Sequence, residues 1–184
     1  MTYEMDIADL KRELPLCRVT DELYIGAFVM FGDVELTVHC AAELLKRAPE
    51  YDYLIAPEAK AIPLLYEMAR QSGAEKYFLA RKGAKAYMTG VFEVEVRSIT
   101  TMHIQKLVID TADAEMIKGK KVLIVDDVIS TGESLHAMEE LVKRAGGIIA
   151  GKMAVLAEGD AKDRDDIITL APLPLFNADG SVKE

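Results

Sequence analysis

Residues 122–134 read V-L-I-V-D-D-V-I-S-T-G-E-S, and these types in this order can bind a phosphorylated sugar. Asp126 and Asp127 are adjacent acids, placed where a buried apolar strand starting at Val122 should end. Such a pair can accept hydrogen bonds from vicinal sugar hydroxyls or hold a magnesium ion through water. Ser130, Thr131, Gly132, Glu133 and Ser134 form a hydroxyl-rich turn that opens a long amphipathic stretch. A strand, a turn exposing backbone N–H groups and a helix N-terminus together make a phosphate cradle. The chemistry implied is recognition of a ribose 5-phosphate. A buried strand that ends in a solvated acid pair before a helix cap explains the parts of this run, but not the whole in order. No G-x-x-x-x-G-K-[ST] run occurs, so a Walker-type phosphate loop is excluded.

The elements that must carry these residues alternate between strand-like and helix-like runs, which predicts α/β architecture with a parallel sheet. Residues 34–48 read as a helix capped by Asp33, with Val34, Val38, Ala41, Leu45 and Ala48 on one face. Tyr53 to Ala56 is a short buried strand. Ile62, Leu65, Met68 and Ala69 mark a second helix that ends at Gly73. Tyr77 to Ala80 is the next strand. Leu135, Met138, Leu141, Val142 and Ala145 form the stripe of a helix ending at Gly146-Gly147. Strands follow at Ile148 to Ala157 and Ile167 to Leu170. Residues 82–110 lack a helical pattern, and V-F-E-V-E-V at 91–96 alternates as an exposed antiparallel ribbon would. The apolar run Leu23 to Phe31 suits a strand covering one end of the sheet. The tail from Pro172 is extended at first and frayed at its end.

Ligands of open α/β sheets sit beyond the carboxyl ends of the strands, so the loops after Ala56, Ala80, Val125 and Leu156 should meet. In the first, Pro57-Glu58-Ala59-Lys60-Ala61, small residues admit a ligand, a helix start favours an anion and Lys60 adds a charge. A helix start with a solvated lysine is the plainer alternative. The second carries Arg81, Lys82 and Lys85, three cations in five residues of a chain whose formal charge is −9. Such a cluster either decorates a solvated turn or faces phosphate. The fourth, Ala157-Glu158-Gly159-Asp160, is a turn whose Glu158 could accept from a purine amino group or ring N–H.

At 184 residues, with half of them apolar and 29% charged, one domain is expected over 1–184. No apolar run approaches the roughly 20 residues of a spanning helix, and the N-terminus has no secretory core, so no membrane partner is expected. The negative charge argues against nucleic-acid binding. Cys17 and Cys40 sit in apolar surroundings and read as reduced core thiols, consistent with a cytoplasmic protein. His39, His103 and His136 show no metal-ligand spacing, so no resident metal site is expected.

The run of apolar strand, Asp-Asp, apolar pair and S-T-G-x-S resembles the phosphoribosyl-diphosphate signature of type I phosphoribosyltransferases. E-A-K-A at 58–61 is similar to the E-A-R-G pyrophosphate loop of the adenine-type members, with Lys60 for Arg and Ala61 for Gly. Arg81-Lys82 is similar to the R-K pair of the adenine and xanthine enzymes. The C-terminal run L-A-P-L-P-L-F at 170–176 resembles a structural run of the adenine enzymes. The resemblance implies a Rossmann-like, mostly parallel sheet flanked by helices, with a hood at 1–33, a core at 34–176 and a tail at 177–184. It places Glu58, Ala59, Lys60, Arg81, Lys82 and Lys85 at pyrophosphate, and Asp126 and Asp127 at the ribose hydroxyls. The 5-phosphate falls to Ser130 through Ser134, and the base end of the site to Glu158. The ribbon of 82–105 becomes a flexible catalytic loop that excludes water, with Glu95, or Glu93 on the same face, as its acid. Phosphoribosyl diphosphate, a purine base, magnesium and a homodimer are implied. Adenine salvage to AMP is the activity expected. The alternatives are a xanthine or guanine enzyme and a non-catalytic regulator that binds phosphoribosyl diphosphate.

Overall fold

Successive side chains of a strand point to opposite faces, so an unbroken apolar run serves two cores at once. Leu123 and Val125 enter one hydrophobic cluster, whereas Val122 and Ile124 enter the other. Leu54 and Ala56 are divided from Ile55 in the same way, as are Met153 and Val155 from Ala154. The sheet between these clusters is therefore buried on both sides. In the computed structural model, residues 1–97 and 104–183 are described.

In chain order the elements begin with strands β1 (Thr2–Ile7), β2 (Leu10–Arg18) and β3 (Tyr24–Gly26), then helix α1 (Val34–Arg47). Strand β4 (Tyr53–Pro57), helix α2 (Ile62–Ser72) and strand β5 (Phe78–Ala80) follow. Next come β6 (Val91–Arg97), β7 (Ile104–Asp110) and α3 (Thr111–Ile117). Strand β8 (Lys121–Ile129) and helix α4 (Glu133–Arg144) lead to β9 (Ile148–Glu158), β10 (Ile168–Leu173) and β11 (Leu175–Phe176). The five-stranded sheet has the order β10-β9-β8-β4-β5 and is parallel throughout. Helices α1 and α2 cover one face, and α3 and α4 the other. This is the α/β architecture expected, with β8 at the centre.

Helix α1 starts where expected, with Leu36 N–H donating to Asp33 Oδ1 at 3.0 Å, but it is turned from the expected face. Leu36, Thr37, Cys40, Ala41 and Leu44 are buried, while Val34 is 74% exposed. The helix carries two apolar stripes, and an ion pair of Arg12 with Asp33 at 2.7 Å ties its start to β2. That link fixes which stripe faces inward.

The N-terminal segment holds more structure than the sequence announced. Strands β1 and β2 form a hairpin through Ala8 and Asp9, both at positive φ. With β3 and β11 they make a second, antiparallel sheet of order β1-β2-β3-β11. The strand expected over Leu23 to Phe31 is thus limited to Tyr24–Gly26. Cys17 is exposed, correcting its reading as a core thiol, whereas Cys40 is buried. The tail is not frayed through Val182: Asn177 N–H donates to Ser181 O at 2.9 Å, and Val182 bridges Phe176. The ribbon is present as the antiparallel pair β6–β7, which packs on α4 through Val94, Leu107 and Ile109. Residues 98–103, His103 among them, lie outside the described residues.

Candidate functional site

Strand β8 runs two residues past Asp127, so both acids sit near its end, beside the helix that follows. Asp127 is 3% exposed and its N–H donates to Asp126 Oδ1 at 2.9 Å. Lys60 Nζ lies 2.9 Å from Asp127 Oδ2, close enough for an ion pair, yet its direction leaves that oxygen without a hydrogen bond. A buried carboxylate oxygen in that state is a ready acceptor for an arriving hydroxyl. Burial, reinforced by the charge of Asp127, holds the Asp126 carboxyl well above the usual carboxylate range.

This shift has a testable consequence for stability. The folded protein keeps on Asp126 a proton that an unfolded chain loses near about pH 4. Wild-type stability on this account falls as the pH rises from there toward neutrality. Asp126→Asn preserves the acceptor oxygen and removes the titration. Its melting temperature should exceed that of wild type at neutral pH, with the gap closing toward about pH 4. A pH-independent difference would contradict the assignment.

The turn after β8 has the shape expected of a phosphate cradle. Gly132 precedes α4 at φ 81, a left-handed conformation that favours glycine, and its side-chain-free position leaves the helix without a side-chain cap there. Glu133 N–H donates weakly to Thr131 Oγ1 at 3.5 Å, and the uncapped helix start presents its positive end toward an anion. Helix α2 likewise starts with no side-chain cap, directly after the loop that carries Lys60. The Glu58–Ala59 peptide in that loop is cis. Ala61, which stands where glycine is usual, is buried and packs into the core.

A cavity of about 920 Å³ joins these parts. Its wall includes Glu58, Ala59, Lys60, Lys82, Asp126, Asp127, Ser130, Thr131, Gly132, Ser134 and Glu158, so all four expected loops contribute. Glu158 is half-buried, and that burial raises its carboxyl above the usual range while Lys60 opposes the shift. Other expected residues do not reach the wall. Arg81 Nη1 lies 3.4 Å from Glu58 Oε1 and its guanidinium sits over the Tyr87 ring, so it ties two loops together. Lys85 and Glu95 also stay off the wall, although Glu95 stands opposite Lys106, which lines it. Glu93 is paired with Lys106 at 2.5 Å. Glu133 contributes the first residue of α4, not a cavity-lining side chain.

Two wall segments escaped sequence reasoning. Residues 25–29 roof the end near Glu158, and residues 104–107 of β7 close a side. The unassigned apolar run before Asp33 was the signal for the first. Ile104 and Gln105 end the ribbon expected to cover the site, but no residue there was singled out, because Gln105 and Lys106 look like ordinary surface residues.

Comparison with known proteins bears directly on this geometry. The phosphoribosyl transferase domain family matches residues 37–172. An adenine phosphoribosyltransferase of Petrotoga mobilis is 30% identical over 163 residues, covering 84% of this chain and 88% of the relative. One from a Thermotoga species is 36% identical over 110 residues, which span 59% of this chain and 60% of the relative. The crystal structure of adenine phosphoribosyltransferase from Thermoanaerobacter pseudethanolicus superposes with a TM-score of 0.63 at 25% identity, covering 76% of this chain and 82% of that one. The matched residues contain the acid pair, the phosphate turn and the cationic loops, and this chain belongs to the phosphoribosyltransferase family.

Proposed function

We propose that the protein transfers ribose 5-phosphate from phosphoribosyl diphosphate to adenine, forming AMP and pyrophosphate in purine salvage. The observation that carries this reading is one cavity whose wall brings together the helix start after Gly132, the acid pair, Lys60, Lys82, Glu158 and the apolar residues 25–29. The acid pair shares that wall, where the ribose would be. Backbone N–H groups and hydroxyls of residues 130–134 hold the 5-phosphate, and Asp126 and Asp127 accept from the ribose hydroxyls. Lys60 and Lys82 face the pyrophosphate, backed by Glu58, Arg81 and Lys85. Positive charge grows on the sugar as pyrophosphate departs, so positioning and stabilisation of the leaving charge supply most of the rate. The ribbon, with Glu95 as its acid, closes over the reacting centre.

At the base end, a half-buried acid accepts from the amino group of a neutral purine and repels an anionic base. The similarity to adenine enzymes favours adenine among the purines. Magnesium fits the donor set: Mg²⁺ is usually held by one or two carboxylates together with substrate oxygens, and Asp127 would supply one, with Asp126 beside it in its protonated form as a hydrogen-bonding group for the ribose. Among the described residues no three ligands cluster to hold a metal alone. Bound with phosphoribosyl diphosphate, magnesium would supply positive charge at the leaving pyrophosphate. A homodimer and a cytoplasmic setting complete the reading; no described helix is long and apolar enough to cross a membrane.

The test incubates pure protein with magnesium, phosphoribosyl diphosphate and each purine separately, and follows nucleotide formation by chromatography. AMP from adenine is the expected product. Turnover of guanine or xanthine alone would keep the mechanism and overturn the base. Binding of phosphoribosyl diphosphate with no product from any base would replace the enzyme by a regulator.

A further inference from the structure

The phosphate turn has a neighbour outside the four loops. A side-chain carbon built on Gly132 would lie 2.6 Å from Arg164 Nη1, so the guanidinium rests against the backbone of the turn itself. Arg164 follows a short 3-10 turn, Gly159–Asp163, that leaves the base end of the cavity. Its Nε and Nη2 each donate to Asp166 at 2.8 Å, a two-pronged pair that fixes the plane of the guanidinium. Asp166 also pairs with Lys152, whose Nζ lies 2.8 Å from Glu139 on α4. The side chains of Lys152 and Glu139 are only 14% and 17% exposed. The brace therefore runs from Arg164 into the helix that the turn begins. With Nε and Nη2 engaged, Nη1 has no acceptor among the described residues.

We propose that Arg164 is a positioning residue for the 5-phosphate turn. Braced by Asp166, Lys152 and Glu139, it presses on Gly132, keeps the turn in its left-handed form and sets a fixed positive charge beside the phosphate. This rests on the reading that the turn receives a sugar phosphate. Glycine at 132 is required twice over, by its φ and by the guanidinium against it.

The experiment measures steady-state kinetics and ligand binding for wild type, Arg164→Ala, Arg164→Lys and Asp166→Asn. Arg164→Ala should raise KM for phosphoribosyl diphosphate about tenfold, as expected for loss of a charge-assisted contact, with KM for adenine unchanged. Binding of ribose 5-phosphate should weaken by a similar factor, while inhibition by pyrophosphate, which does not use the turn, stays as in wild type. Arg164→Lys keeps the stem and charge but not the fork, so it should recover part of the loss. Asp166→Asn should move the same ligands in the same direction. Equal weakening toward ribose 5-phosphate and pyrophosphate, or no change in any variant, would overturn the proposal. Absence of ribose 5-phosphate binding in wild type would instead overturn the reading of the turn, and the proposal with it.

Discussion

Asp127→Asn leaves the protein folded and lowers kcat/KM for phosphoribosyl diphosphate by roughly 10²–10³-fold, the scale seen when one preorganised polar group of an active site is removed. Asparagine has nearly the same shape, so the packing around this buried position persists. It also removes a charge held in a poorly solvated place, which costs the fold nothing. Two functional groups are lost together. The acceptor oxygen that has no hydrogen bond becomes part of a neutral amide, and Lys60, 2.9 Å away, loses the anion that now holds it. The measurement pairs steady-state kinetics with a thermal melt. Wild-type turnover in a folded variant would end the assignment of the acid pair to the ribose.

Phe176→Ala acts on stability instead, with an expected loss of about 3–5 kcal/mol, typical of large-to-small changes at fully buried aromatic positions. Phe176 is 0% exposed and its ring centroid lies 4.9 Å from that of Tyr3. It joins β11 to the hairpin of β1 and β2, and its edge approaches Gly26 in β3. Urea unfolding should show a lower midpoint. Because residues 25–29 roof the base end of the cavity, KM for the base should rise more than KM for phosphoribosyl diphosphate. Equal changes in both would mean that the second sheet does not shape the base end separately.

The parallel sheet was legible because its strands are apolar runs, two of which, β4 and β8, lead into helices with clear apolar stripes, and tertiary packing agreed with local pattern. The phosphate turn was legible for a different reason: its chemistry needs particular residue types in a fixed order, from Asp126 to Ser134. The hairpin of β1 and β2 was not, because Ala8-Asp9 lacks the glycine that usually marks a two-residue turn. Its inward residues, Met5, Ile7 and Leu14, are also scattered among charges. The face of α1 was misjudged because two apolar stripes run along it, and the choice was made by Arg12, distant in sequence. Arg164 carries no sequence signal, since its role depends on a brace formed between α4, β9 and the segment before β10.

The pairing of β3 with β11 also sets an order of assembly. Synthesis proceeds from the N-terminus, and domains tend to form as their parts emerge. Strand β3 is made early, yet its neighbour β11 is made only after every strand of the parallel sheet. A nascent chain ending just before Leu175 already carries the acid pair, the phosphate turn and both cationic loops. The wall that residues 25–29 give the cavity is thus completed only when the C-terminal strand docks on β3.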